Sequence, residues 1–155
     1  MGHGLSRLSI GVIGLSLTVT AFAGGPSGCS DLSGVPMTFS VLYYDDIQPL
    51  FSDNDRCTGC HGGLAGLFLE PDFSYGNLVG VNSSQQGGLL RVAPGDPLNS
   101  LLFQKLACDN PAVGSRMPLG ADPIPLAEQA LVMDWILLGA GFDTDPLFRD
   151  QFEGS

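Results

Sequence analysis

The chain has 155 residues, with 16 Asp and Glu against 6 Lys and Arg, a formal net charge of −10 at pH 7. That balance excludes tracking of nucleic-acid phosphates and adhesion to anionic membranes, and it favours a basic partner whose association weakens as salt rises. With 22 Gly, 11 Pro and only 14% charged residues, the sequence describes a loop-rich chain with room for one domain and not two.

Residues 1–23 read as a secretory signal peptide. Met1 to Arg7 is short and basic, Leu8 to Ala23 is apolar, and Ala21-Phe22-Ala23 has the small-x-small form of a cleavage site. The apolar run is shorter than the ~20 residues of a spanning helix, and no other segment could cross a membrane. The expectation is a periplasmic or otherwise exported protein. Residues 24–40 are rich in Gly, Pro and Ser and read as a flexible arm. Residues 41–143 are the expected folded domain, and 144–155 an acidic tail. In the arm, Cys29 has three open fates: a disulfide with Cys108, a lipid anchor on a membrane-tethered lipoprotein, or a free thiol.

Within the domain, Val41, Tyr44, Ile47, Leu50 and Phe51 have near-helical spacing, and Pro49 predicts a short helix starting around Asp45 or Asp46. Next comes Cys57-Thr58-Gly59-Cys60-His61, the C-x-x-C-H signature of covalent haem attachment. Thiols three positions apart on one helical turn can form thioethers to two vinyl groups, and the following histidine then serves as proximal iron ligand. A zinc site needs further Cys or His at suitable spacing, and the chain has too few. With residues 1–23 removed, His61 is the one remaining histidine, so any sixth ligand is of another type.

Residues 62–88 predict a long loop around one haem edge. Leu64, Leu67, Leu69, Phe73 and Leu78 are candidates to pack on the porphyrin, and a carbonyl near Pro71 is expected to accept the His61 Nδ1 proton. Asp96-Pro97 marks a helix start, followed by a stripe of Leu98, Leu101, Leu102 and Leu106. After the loop 109–125, a last helix starts near Pro125 or Leu126 and ends at Gly139 or Gly141, with Leu131, Met133, Trp135 and Leu138 as burial candidates.

Three methionines follow residue 23. Met37 lies in the arm and Met133 in an apolar helix. Met117, in a loop and stiffened by Pro118, is placed to offer a thioether to the iron. Its alternative is an apolar loop plug. Lys105 is another candidate ligand, and Arg116 is either a partner of a haem propionate or a surface charge.

These residues carry a resemblance. In order, Ile47-Gln48-Pro49-Leu50-Phe51, the Cys57–His61 motif with Gly62-Gly63, Val92-Ala93-Pro94-Gly95-Asp96-Pro97, Ser100-Leu101-Leu102, Arg116-Met117-Pro118 and Trp135-Ile136 with Gly139-Ala140 resemble a subgroup of small bacterial class I c-type cytochromes with one haem. The likeness spans roughly residues 41–142. It implies an all-α fold around one haem c, with Cys57 and Cys60 as attachment points, His61 proximal and Met117 distal. Trp135 would lie on a C-terminal helix crossing the N-terminal one. The loop around Asn82 to Gly88 and the extra cysteines depart from the pattern.

The function expected is electron transfer between redox partners, through an iron whose two axial positions stay filled, and not enzymatic catalysis. Redox partners with a basic docking face are expected, and nucleic acid is not. The alternatives are a haem-bearing subunit of a larger respiratory or surface complex, and a peroxide- or gas-binding haem protein. The latter holds if Met117 is not a ligand, and peroxidase chemistry would further need Glu70 or Arg116 brought over the haem.

Overall fold

The structure, a computed structural model, describes Met1 and residues 25–142. The signal-peptide reading of 1–23 and the acidic tail 144–155 fall outside the described residues, apart from Met1. Four α-helices are described: α1 (Gln48–Ser52), α2 (Ser74–Leu78), α3 (Leu101–Ala107) and α4 (Leu126–Leu137). A π-helical turn, Tyr43–Ile47, runs directly into α1, and 3₁₀ turns cover Asp53–Asp55, Leu64–Gly66 and Pro97–Asn99.

The all-α expectation is corrected. Strands β1 (Ser27–Cys29) and β2 (Cys108–Asn110) form an antiparallel ribbon, with Cys29 opposite Cys108. Isolated bridges add extended pairings between Val79 and Val92, Asn82 and Leu90, and Leu90 and Ser100. Apart from α4, with 12 residues, the helices have five to seven residues. The physical reason is in the composition. Pro71, Pro94, Pro97, Pro111 and Pro118 remove backbone donors at intervals, and the glycines between them favour turns over helical ladders.

Parts of the arm are held against the domain. Cys29 and Cys108 are joined by a disulfide that closes a sequence separation of 79 residues. A sulfur so engaged carries no lipid. Leu32 is buried, the Ser30 amide donates to the Ala107 carbonyl (2.8 Å), and the Thr38 amide donates to Asp134 Oδ2 (2.7 Å).

The helix starts follow their local chemistry. The first helical segment opens at Tyr43, earlier than predicted, because the Asp46 carboxylate accepts the Leu42 amide at 2.7 Å and closes the turn. Pro49 then occupies the opening of α1. Asp96 accepts the Asn99 amide across Pro97–Asn99, but α3 begins only after Ser100, whose hydroxyl binds Ala93 N and Asp96 O at 2.8 Å each. Helix α4 ends in a Schellman arrangement. Gly139, at φ +101°, donates to Ile136, and Ala140 donates to Trp135.

The core joins these pieces. Tyr43, Ile47 and Phe51 from the first helical segment pack with Leu78, Val92, Leu106, Val132, Trp135 and Ile136, all 5% exposed or less. Rings of Tyr43 and Trp135 lie 5.3 Å apart, so the last helix does meet the first. This places the 57–61 turn beside one end of the core and leaves a cavity between that turn, α3 and the 83–91 segment.

Candidate functional site

Residues 57–61 form one helical turn. The His61 amide donates to the Cys57 carbonyl at 2.8 Å, and Cys57 and Thr58 amides both donate back to Phe51 O, which seats the turn on α1. Gly59 is required by proximity, since a Cβ there would stand 2.8 Å from the Asp55 carbonyl oxygen. Arg56 pairs with Glu128, tying the turn to the start of α4. Cys57 and Cys60 are free thiols, Cys57 half-buried and Cys60 exposed. Burial pushes the Cys57 thiol above its usual range, with Arg56 partly opposing.

Above the turn lies an apolar cavity of about 250 Å³. Cys57, His61 and Met117 all line it, and so does Lys105. Four of the five residues expected to pack on a porphyrin are on its wall: Leu64, Leu67, Leu69 and Leu78. Phe73 is not, and is 59% exposed. Leu101, Leu102 and Leu106 contribute the facing side of α3.

The His61 Nδ1 atom is buried without a hydrogen-bond partner among the described residues, so the expected carbonyl near Pro71 does not accept its proton. Burial lowers the His61 pKa below the ordinary histidine value, a contact with the Leu64 backbone opposes this, and the Lys105 charge adds to it. Met117 is half-buried, and its amide donates to the Lys105 carbonyl at 2.7 Å. The Lys105 ammonium donates to the carbonyls of Val113 (3.0 Å) and Ser115 (3.3 Å), and desolvation lowers its pKa. Met37 and Met133 do not line the cavity.

Arg116 turns away from the cavity. Its guanidinium meets Asp109 at 2.6 Å and reaches Leu106 O and Ser30 Oγ, and it does not line the cavity. Arg91 does line the cavity, held by donation to Asn77 O (2.8 Å) and Gly66 O (2.9 Å). Sequence reading passed over Arg91. The signal was a lone cation within the apolar stretch Leu89 to Ala93 of a strongly acidic chain. Ser83, Ser84 and Gln85, from the loop that departs from the family pattern, supply the polar rim. Glu70 belongs to a separate, open cleft with Ser52, Asp55 and Thr58, and neither Glu70 nor Arg116 lines the cavity as a distal base.

This donor set fits a haem. Leucines form much of the wall, as a macrocycle requires, and the His61 imidazole and the Met117 thioether share it. Among the described residues no three His, Cys, Asp or Glu side chains gather into a metal cage, and no helix is long and apolar enough to cross a membrane. Comparison of the chain with protein-family models, with curated proteins and with solved structures gives no match.

Proposed function

We propose that this chain is an exported mono-haem c-type cytochrome that carries electrons between redox partners. The observation that carries the reading is the meeting of His61 and Met117 on one apolar cavity directly above Cys57. Cys57 and Cys60 would hold haem c by thioether bonds, His61 and Met117 would be the iron ligands, and Arg91 and Lys105, the cations on the wall, would be available to its carboxylates. A haem held there supplies one-electron exchange between ferric and ferrous iron.

The residues account for the rest. Imidazole opposite thioether favours the reduced iron and raises the potential. The leucines of the 64–69 turn, α2 and α3 exclude water, which keeps the cost of reorganisation low on electron exchange. Neither the second histidine nor the carboxylate that bond chemistry would need lines this cavity. The net charge of −10 steers a basic partner, in an encounter that salt weakens.

The test is the absorption spectrum of the chain produced in a host with c-type maturation, oxidised and reduced, with and without carbon monoxide. The expected result is a low-spin spectrum with a methionine–iron charge-transfer band, unaltered by carbon monoxide, and loss of that band in Met117→Ala. A high-spin spectrum or rapid carbon monoxide binding by the unmodified chain would replace electron transfer with a gas- or peroxide-binding role. Retention of the band in Met117→Ala together with its loss in Lys105→Ala would move the distal ligand to Lys105. Absence of covalent haem would refute the proposal.

A further inference from the structure

We infer that Arg116 is a positioning residue for Met117, holding the methionine loop against the disulfide-linked ribbon so that the thioether stays in the cavity. This rests on the reading of Met117 as the distal iron ligand. Arg116 Nη1 binds Asp109 Oδ1 at 2.6 Å, and Nη2 reaches Leu106 O at 3.3 Å and Ser30 Oγ at 3.4 Å. One guanidinium therefore joins α3, β2 and the residue that follows β1. The next residue in the chain is Met117, which lines the cavity.

The loop has a fixed seat at both ends of this joint. Before it, β2 is bonded covalently to β1 through Cys29 and Cys108. After it, the Met117 amide is held by the Lys105 carbonyl at 2.7 Å. Inside the loop, the Ala112 amide donates to Gln104 Oε1 at 3.0 Å, and Lys105 caps the carbonyls of Val113 and Ser115. Arg116 is the side chain that connects this loop to the ribbon.

Stability does not explain the arrangement. The Asp109 side chain is 67% exposed, and an ion pair with so exposed a partner contributes little. Arg116 Nε is buried without a hydrogen-bond partner, which is itself unfavourable. What the guanidinium does supply is direction. Its planar fork addresses several acceptors in a fixed geometry, and a lysine ammonium cannot. A tethered loop keeps its thioether at high local concentration beside the iron, whereas a released loop yields the position to an external ligand.

The experiment uses the full chain matured with haem, as wild type, Arg116→Ala, Arg116→Lys, Asp109→Asn and Met117→Ala. Two quantities are read: the methionine–iron charge-transfer band, and carbon monoxide affinity of the ferrous protein, which reports the fraction of open iron. Affinity scales with that fraction, so loss of the tether is expected to raise it about tenfold in Arg116→Ala and to weaken the band. Arg116→Lys is expected to fall between wild type and Arg116→Ala. Amide hydrogen exchange across residues 111–118 supplies a readout independent of the iron, with protection lost in Arg116→Ala.

Should Arg116→Ala fail to fold, by circular dichroism, Asp109→Asn carries the same test with the arginine kept, and a rise in carbon monoxide affinity is again expected. If Met117→Ala opens the iron while Arg116→Ala and Asp109→Asn leave band and affinity at wild-type values, the inference is overturned and the ligand assignment stands. If Met117→Ala itself changes nothing, the ligand assignment has failed, and the inference goes with it.

Discussion

The substitution Gln48→Leu tests whether the Cys57–His61 turn is held by a buried polar chain. Gln48 is 4% exposed at the first position of α1. Its Nε2 donates to Leu69 O at 2.9 Å and to Ser52 Oγ at 2.8 Å, and its Oε1 accepts from Ser74 Oγ at 2.5 Å. Ser74 Oγ in turn accepts from the Tyr43 hydroxyl at 2.6 Å. Leu69 then donates its amide to His61 O at 2.9 Å. One glutamine thus fixes α1 to α2 and to the backbone partner of His61.

Leucine nearly matches glutamine in volume, so the substitution leaves shape and removes partners. The Ser74 hydroxyl loses its acceptor and the Leu69 carbonyl loses its donor, both at residues no more than 3% exposed. Each stranded buried group costs about 1–3 kcal/mol, and the added apolar burial returns about 1–2 kcal/mol. The net expectation is a loss of about 1–4 kcal/mol. Ser52 is only half-buried and keeps its own bond to Gln48 O (3.1 Å), so Ser52→Ala should cost less than about 1 kcal/mol. Urea unfolding followed by circular dichroism measures both. Wild-type stability in Gln48→Leu, within about 0.5 kcal/mol, would refute the reasoning, because a buried network cannot lose its central member at no cost.

Two further outcomes follow from the same structure. Replacing Cys29 and Cys108 together by serine reopens a separation of 79 residues, and the chain-entropy argument gives a loss of about 4–5 kcal/mol in urea unfolding; a loss under about 1 kcal/mol would show that the packed arm holds without its bond. In the haem-free chain, burial places the folded His61 pKa below its ordinary value of 6.5, so as pH falls the unfolded chain takes up the proton first. That part of the stability is complete above about pH 6.5 and is lost as pH falls through the folded pKa, so the urea midpoint should drop on mild acidification. His61→Gln should remove that drop, and an unchanged slope in the variant would assign it to other groups.

What could be read in the sequence was whatever repeats a strong local rule. The Cys57–His61 spacing, the Pro49 and Pro97 positions and the Gly139 stop each act within a single turn; Gly139 ends α4 as expected, while Pro49 follows a helical segment that opens earlier at Tyr43, and Pro97 opens only a 3₁₀ turn before α3. Leu64, Leu67, Leu69 and Leu78, read from the sequence as candidates to pack on a porphyrin or in the core, line the cavity, and Leu69 and Leu78 also belong to the core. The ribbon was not legible. Three-residue strands have no period to detect, and their pairing depends on a contact between residues 29 and 108. Arg116 was misdirected because a cation beside an expected iron ligand suggests a propionate, while its actual acceptors lie on three separate segments. Arg91 was missed because a charge amid apolar residues carries no spacing rule.

The shortness of the helices raises the question of what keeps long loops in register around a cavity, and buried glutamines supply the answer. Gln48, Gln104 and Gln129 are each at most 4% exposed. Gln104 donates to Leu98 O at 2.7 Å and accepts from the Ala112 amide at 3.0 Å, and Gln129 donates to Ile124 O at 2.7 Å. In each case a helix reaches sideways to satisfy a loop backbone group that no helical ladder or sheet serves. An amide can donate and accept at once, as Gln48 and Gln104 do, and Gln129 donates while its own Oε1 is left without a partner among the described residues. Two of these clamps bear on the cavity. Gln48 holds the carbonyl of Leu69, the residue whose amide meets His61 O, and Gln104 holds the amide of Ala112 at the start of the Met117 loop. The two proposed iron ligands therefore stand on separate loops whose backbones are pinned to the same core. That arrangement can keep both axial positions in place without a continuous helical scaffold behind either one.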